Sequence, residues 1–180
     1  YKFGFYGYDA RIWDDVAHDN PHYLIVKSAG NDRLDGPGAG AEHYVWDNGW
    51  KVSNKVLNKD GGPDGFDCIG TQGTSKNILT VGAVLDIENG YEAPEDVVVT
   101  NFSTFGPTDD GRIKPDIVGN GDNLYSAYYE NDNDYDFSSG TSMAAPNVSG
   151  SLALLQEFYF SKYHRFMYSP TLKGLALHTA

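Results

Sequence analysis

One uncharged run constrains the fold of this chain more than any other feature. Residues 78–84, Ile-Leu-Thr-Val-Gly-Ala-Val, show no alternation of polar with apolar side chains. Such a run is typical of a strand that is buried on both faces, as in a parallel sheet covered by helices. Residues 23–26 form a shorter run of this kind, and residues 97–99 predict a third strand. Shorter strand candidates lie at residues 117–118 and 125–127.

Helical periodicity occurs between these runs. In residues 10–19 the apolar side chains share one helical face, and Asn20-Pro21 ends the pattern. A longer repeat begins after residue 142 and predicts a long core helix; its apolar positions include Ala145, Val148, Leu152 and Leu155. Because strands alternate with helices, the sequence predicts an α/β layered fold.

Composition excludes several functional classes. The 180 residues are 40% hydrophobic and 14% aromatic, which is sufficient for one domain with a sizeable core. A net charge of -12 argues against nucleic acid or an anionic membrane as partner, since both require clustered Lys and Arg. Cys68 is the only cysteine, so an internal disulfide is excluded.

The strongest candidate site is the run Gly-Thr-Ser-Met-Ala-Ala-Pro at residues 140–146, where the long helix begins. A serine in the first turn lies beside free backbone N–H groups and the positive end of the helix dipole. Ser142 is therefore a candidate nucleophile. A serine or threonine at this position is also a common helix cap, and that alternative stays open.

This run is similar to the nucleophile motif of the subtilisin-like serine peptidases, the subtilases. Ser28-Ala29-Gly30-Asn31 resembles the oxyanion-hole segment of that family, and residues 102–107 with 114–117 resemble the run that precedes its serine. The three matches occur in the family's order and cover roughly residues 22–160. The resemblance implies a three-layer subtilisin-like α/β fold with a mainly parallel sheet.

The resemblance also implies roles for individual residues. Ser142 would attack a peptide carbonyl, and the oxyanion would be held by the side chain of Asn31 and the N–H of Ser142. Asn31 has an alternative interpretation as a turn residue next to Gly30. The implied substrate-binding residues are Ser28, Ala29, Gly30, Gly140 and Thr141. The chemistry requires no cofactor, and the implied substrates are polypeptides.

The family's Asp and His are expected upstream of the serine, but no Gly-Thr-His stretch occurs in this sequence. The histidines, interpreted as surface or satisfied core residues, are His18, His22, His43, His164 and His178. The chain begins at Tyr1, and we expect residues 1–180 to be the C-terminal part of a secreted peptidase domain, inactive without its N-terminal part. The alternative is a pseudopeptidase or peptide-binding module that retains the fold without catalysis.

Residues 32–77 are rich in Gly, Asp and Asn and lack a sustained period, so they predict a loop insertion. Trp46 and Trp50 within it are expected to be exposed, and His43 is expected in a glycine-rich loop. Acidic clusters occur at residues 60–67 and 132–136. Solvated turns are the favoured interpretation of both clusters, with a structural calcium ion as the alternative.

Overall fold

The computed structural model describes residues 2–180; Tyr1 lies outside this range. The helices are α1 (Tyr8–Asp19), α2 (Thr141–Tyr163) and α3 (Ser169–Thr179). The strands are β1 (Val26–Ser28), β2 (His43–Trp46), β3 (Trp50–Ser53), β4 (Leu79–Val84), β5 (Ile117–Asn120), β6 (Leu124–Ala127) and β7 (Tyr135–Ser138). Within residues 2–180, no helix combines the length and the apolarity that crossing a membrane requires.

A parallel sheet of three strands in the order β1-β4-β5 forms the centre of the fold. Val26 of β1 pairs with Leu79 of β4, and Val81 of β4 pairs with Ile117 of β5. All six residues of β4 are buried, as the uncharged run predicts. The predicted parallel α/β arrangement is therefore confirmed.

One face of the sheet packs against α2. Leu79 and Val81 of β4 belong to the same buried cluster as Ala144, Val148 and Leu152 of the helix. The apolar repeat after residue 142 thus forms the predicted long helix, which continues to Tyr163. This packing places the first turn of α2 near the carboxyl ends of the parallel strands, where ligands gather in α/β sheets.

Two antiparallel hairpins, β2–β3 and β6–β7, lie outside the parallel sheet. The first falls within residues 32–77, and its Trp46 and Trp50 are 69% and 70% exposed, as expected. His43 lies in β2 and not in a loop, so that expectation is wrong. It pairs with Ser53 across the hairpin, and the glycines near His43 gave no indication of this pairing.

The strand predicted at residues 97–99 is also wrong. Only Val99 makes a β-bridge, and its partner is Val84 at the end of β4. The physical reason is that β1 pairs only with residues 79–81 and so leaves free just the last residues of that edge of β4. There the N–H of Leu85 donates to the carbonyl of Val98 and the N–H of Thr100 donates to the carbonyl of Ala83, and this short edge holds a single bridge instead of a ladder.

A buried ion pair fastens the start of β5 to β4. Nζ of Lys114 lies 2.6 Å from Oδ2 of Asp116 and donates to Oγ1 of Thr80 at 2.9 Å. The same Oδ2 accepts from the backbone N–H of Thr80 at 2.7 Å. Nζ of Lys173 in α3 lies 3.3 Å from the other oxygen, Oδ1 of Asp116. One carboxylate therefore connects two strands and a helix.

Burial of Lys114 gives a predicted pH dependence of stability. Desolvation lowers the pKa of Lys114 from 10.5 to about 8, although Asp116 opposes the shift. Between these two values the unfolded chain binds more protons than the folded one, so this group's contribution to the free energy of unfolding rises with pH. Urea unfolding across this interval should show the rise in the wild type. The slope should be smaller in Lys114→Met; equal slopes would contradict the prediction.

Candidate active site

Ser142 is the second residue of α2, and its side chain is exposed. The helix begins sharply because Gly140 has a φ of +149°, a backbone conformation that L side chains rarely adopt. A Cβ atom at this position would also lie 3.1 Å from Nδ2 of Asn31. Glycine at residue 140 therefore allows the asparagine side chain to approach the first turn of the helix.

The first turn of α2 leaves one N–H free beside the serine. The N–H of Thr141 donates to Oδ1 of Asn31 at 2.9 Å, and the N–H of Met143 donates to the carbonyl of Gly140 at 2.9 Å. Within residues 2–180, neither the N–H nor the hydroxyl of Ser142 has a hydrogen-bond partner. Both groups are therefore available to a molecule bound at the positive end of the helix.

The orientation of the Asn31 side chain follows from its hydrogen bonds. Oδ1 accepts from both the backbone N–H and the hydroxyl of Thr141, at 2.9 and 3.0 Å. Because a backbone N–H requires an acceptor, the oxygen faces the helix and Nδ2 is left to donate elsewhere. Nδ2 lies beside Gly140, two residues before Ser142. The free N–H of Ser142 and Nδ2 of Asn31 thus both lie at the first turn of α2.

Thr141 contacts the segment after β1. Its side chain is buried and only 1% exposed. Its hydroxyl accepts from the N–H of Gly30 at 3.1 Å and donates to Oδ1 of Asn31. Thr141 therefore holds the segment after β1 against α2. Its role as a substrate-binding residue stays a prediction.

The segment 28–30 reaches the site at the end of β1. Ala29 continues the parallel ladder by donating its N–H to Val81 at 2.8 Å, and its side chain is buried. Gly30 has a φ of +125°, and a Cβ there would lie 3.1 Å from both Oγ1 of Thr104 and Oδ2 of Asp32. Small residues are therefore required where the chain turns towards Asn31.

Lys27 is a neighbour of the site that sequence reasoning missed. Its Nζ donates to the carbonyl and the hydroxyl of Ser28, at 2.8 and 3.0 Å. Burial lowers the pKa of Lys27, while the nearby carboxylate of Asp32 opposes the shift. No sequence motif marks this lysine, because the burial of its side chain cannot be predicted from the neighbouring residues. It fixes the orientation of Ser28 at the wall of the site.

No histidine within residues 2–180 forms a hydrogen bond with Ser142. His22 stacks on Tyr168 with ring centroids 4.5 Å apart. His43 lies on the β2–β3 hairpin, and His164 ends α2 in the left-handed conformation. The described part of the chain therefore places a serine with a free hydroxyl, a free N–H and Nδ2 of Asn31 at the start of α2, and no histidine within it hydrogen-bonds to that serine. It also contains no cluster of three or more His, Cys, Asp or Glu residues arranged to hold a metal ion.

Comparison with known proteins places this arrangement in a family. The sequence profile of the Subtilase family matches residues 6–180. This chain belongs to the subtilase family. The predicted resemblance is confirmed, and it extends beyond the three motifs to nearly the whole chain.

Several proteases are similar to this subtilase chain. It is 33% identical over 155 residues to serine protease AprX of Bacillus subtilis, an alignment that covers 76% of this chain and 34% of AprX. It is 37% identical over 109 residues to pyrolysin of Pyrococcus furiosus, covering 51% of this chain and 8% of pyrolysin. The chain therefore spans only a minor part of these relatives.

Solved structures confirm the fold. The self-cleaved protease domain of PatA aligns with a TM-score of 0.63 and 21% identity, covering all of this chain and 50% of that domain. Sphericase aligns with a TM-score of 0.59 and 20% identity, covering 95% of this chain and 43% of its own. The subtilase chain thus has the predicted subtilisin-like α/β fold.

Proposed function

We propose that the protein carrying this chain is a subtilisin-like serine endopeptidase that hydrolyses peptide bonds through an acyl-enzyme on Ser142. The observation that carries the proposal is the pair of bonds from Thr141 to Oδ1 of Asn31. They occupy Oδ1 and leave Nδ2 free to donate, so that it and the free N–H of Ser142 are a pair of candidate donors for an oxyanion.

The proposed reaction is acyl transfer followed by hydrolysis. The hydroxyl oxygen of Ser142 bonds to the carbonyl carbon of the substrate, and its proton passes to a histidine. The negative charge on the carbonyl oxygen is stabilised by Nδ2 of Asn31 and the N–H of Ser142. Collapse of the intermediate breaks the C–N bond, and the histidine gives its proton to the leaving amine. Water then releases the acyl group by the same steps.

We place the histidine and its aspartate in a segment that precedes this one in the subtilase domain. The histidines within residues 2–180 lie away from Ser142, and the family's order is Asp, His, Ser. The 180-residue chain alone is therefore expected to show little or no peptidase activity, since removing the base costs nearly as much as removing the whole triad.

We propose that the substrates are polypeptides, which bind along Ser28, Ala29 and Gly30, and that the protein carrying this chain is secreted. The chemistry needs no cofactor, and calcium, if bound, is structural. Nucleic acid and anionic membranes are unsuitable partners for a chain with a net charge of -12.

The alternative is a pseudopeptidase or peptide-binding module. A module that only binds peptides needs neither a free serine hydroxyl nor an asparagine held as Asn31 is held. Labelling of the full-length protein with a fluorophosphonate probe distinguishes the two. An adduct that mass spectrometry maps to Ser142 supports the peptidase. A folded, mature protein that takes up no probe would establish the alternative.

Thr141→Val tests the positioning of the oxyanion donor. The variant keeps the shape of the side chain but removes the hydroxyl that joins Gly30 to Asn31. We expect kcat for peptide hydrolysis by the full-length protein to fall about tenfold with KM little changed, because one of two bonds that orient the donor is lost.

Two variants calibrate this result. Asn31→Leu removes the donor itself and should lower kcat about a hundred- to a thousandfold, the magnitude known for this donor in a subtilisin. Thr141→Ser restores the hydroxyl and should recover most of the activity. An effect of Thr141→Val on KM alone would show that the residue contacts the substrate and does not position Asn31.

A further inference from the structure

The β6–β7 hairpin stands directly before the nucleophile and is fixed to it. The N–H of Gly140 donates to the carbonyl of Gly121 at 2.8 Å. Oγ of Ser139 accepts from the N–H of Asn123 at 2.8 Å and donates to Asp122 at 3.0 Å. The base of the hairpin is therefore anchored where α2 begins, two residues before Ser142.

One face of this hairpin is aromatic and open to solvent. Tyr125 pairs with Phe137, and Ala127 pairs with Tyr135, so that all four side chains lie on the same face. The ring centroids of Tyr125 and Phe137 are 5.0 Å apart, and those of Tyr125 and Tyr135 are 5.8 Å apart. Each of the three rings is more than half exposed. A stacked aromatic face of this kind is a binding surface for a cation or a planar group.

The same hairpin is strongly acidic. Residues 121–140 contain no Lys or Arg, and their carboxylates are Asp122, Glu130, Asp132, Asp134 and Asp136. Tyr129 and then desolvation are the main causes that raise the pKa of Tyr128, and the carboxylates of Asp136 and Glu130 add to the shift. Negative charge beside exposed aromatic rings complements Lys and Arg side chains, whose cations interact with both.

In the β2–β3 hairpin, exposed aromatic rings are not accompanied by an excess of carboxylates. It also presents two exposed rings, those of Trp46 and Trp50, whose centroids are 5.5 Å apart. Residues 42–59, however, combine Glu42 and Asp47 with three lysines, and Lys51 pairs with Asp47 at 2.7 Å. Charge complementarity to a basic partner is thus a property of the β6–β7 hairpin and not of the β2–β3 hairpin.

We propose that the β6–β7 hairpin binds a Lys- or Arg-rich segment of the polypeptide substrate and thereby selects basic sequences near the bond that Ser142 cleaves. The inference rests on the proposed peptidase function. It adds a specificity determinant outside segment 28–30. The aromatic face holds the aliphatic stems and cationic groups, and the carboxylates of the tip attract them.

Binding of a fluorescein-labelled basic octapeptide to the full-length Ser142→Ala protein tests the proposal by fluorescence anisotropy. The basic peptide should bind more tightly than its acidic counterpart, and the difference should shrink as salt rises. Asp132→Asn combined with Asp134→Asn should weaken binding about fivefold, because two carboxylates that attract the cations are lost. The fold should be unaffected, since neither side chain forms a hydrogen bond within the described residues. Tyr125→Ala should weaken it roughly threefold.

Trp46→Ala combined with Trp50→Ala is the matched control, and it should leave binding of the basic peptide unchanged. Equal affinity for acidic and basic peptides, or no effect of the aspartate substitutions, would overturn the proposal. Self-association that Tyr125→Ala abolishes would also overturn it, because a second copy would then cover the face. The binding assay requires no catalysis, so its failure is distinct from a failure of probe labelling at Ser142.

Discussion

Replacement of Ser142 by alanine is expected to lower kcat of the full-length protein about a millionfold, the loss known for the nucleophile of a subtilisin. Ser142 is exposed at the start of α2, and Nδ2 of Asn31 lies beside Gly140, two residues earlier. No other residue of the described chain combines a free hydroxyl with these donors. Hydrolysis of a chromogenic peptide and probe labelling should both disappear.

The fold of the Ser142→Ala variant should be intact, because the hydroxyl makes no hydrogen bond within residues 2–180. Its thermal midpoint should therefore equal that of the wild type. Ser151→Ala is the matched control, since Ser151 is an exposed serine on the same helix whose hydroxyl contacts only the carbonyl of Asn147. Activity that survives in Ser142→Ala at near the wild-type level would show that another residue is the nucleophile.

Replacement of Asp116 by alanine is expected to lower the free energy of unfolding by about 3–5 kcal/mol. The carboxylate accepts from Thr80 and pairs with Lys114 and Lys173. The side chain of Lys114 is only 2% exposed, so the substitution leaves a buried ammonium without its counterion. Urea unfolding of the protein should show the loss as a lower midpoint with an unchanged m-value.

Two further variants separate the ion pair from simple packing. Lys114→Met combined with Asp116→Leu removes the closest pair of charges and should recover part of the lost stability, because only Lys173, which also donates to the carbonyls of Lys76 and Ile78, then lacks its carboxylate. Lys173→Met should cost less stability than Asp116→Ala, because it leaves the closer pair of Lys114 and Asp116 in place. A loss below about 1 kcal/mol in Asp116→Ala would contradict the role assigned to this carboxylate.

The elements that sequence reasoning identified correctly are those whose signal is local. The uncharged run at residues 78–84 has no polar face to turn to solvent, so it favours burial on both faces. It forms β4, the fully buried central strand. The repeat after Ser142 has the spacing of one helical face, and it packs on the sheet as α2. The nucleophile and oxyanion motifs identified the family because each is a short string of consecutive residues.

Residues 97–99 show why a local signal can fail. Three consecutive valines favour a strand, but the edge of β4 that they reach is free only at its end, so they form one bridge and no ladder. His43 is the opposite case, in which a loop was predicted and a strand forms. The nearby glycines suggested a loop, but pairing with Ser53 places His43 in β2. Strand pairing depends on partners distant in the sequence, and no local window contains them.

The sequence by itself determined the α/β class, the position of the candidate nucleophile Ser142 at a helix start and the identity of Asn31 as its candidate donor. Only the tertiary structure decided how that donor is held. Thr141 bonds to Gly30 and Asn31 across a separation of more than a hundred residues, and Asp116 meets Lys173 of α3 only because the helix packs beside the sheet. Periodicity and short motifs encode backbone conformation, whereas a hydrogen bond between distant side chains exists only after the core has brought its two atoms together.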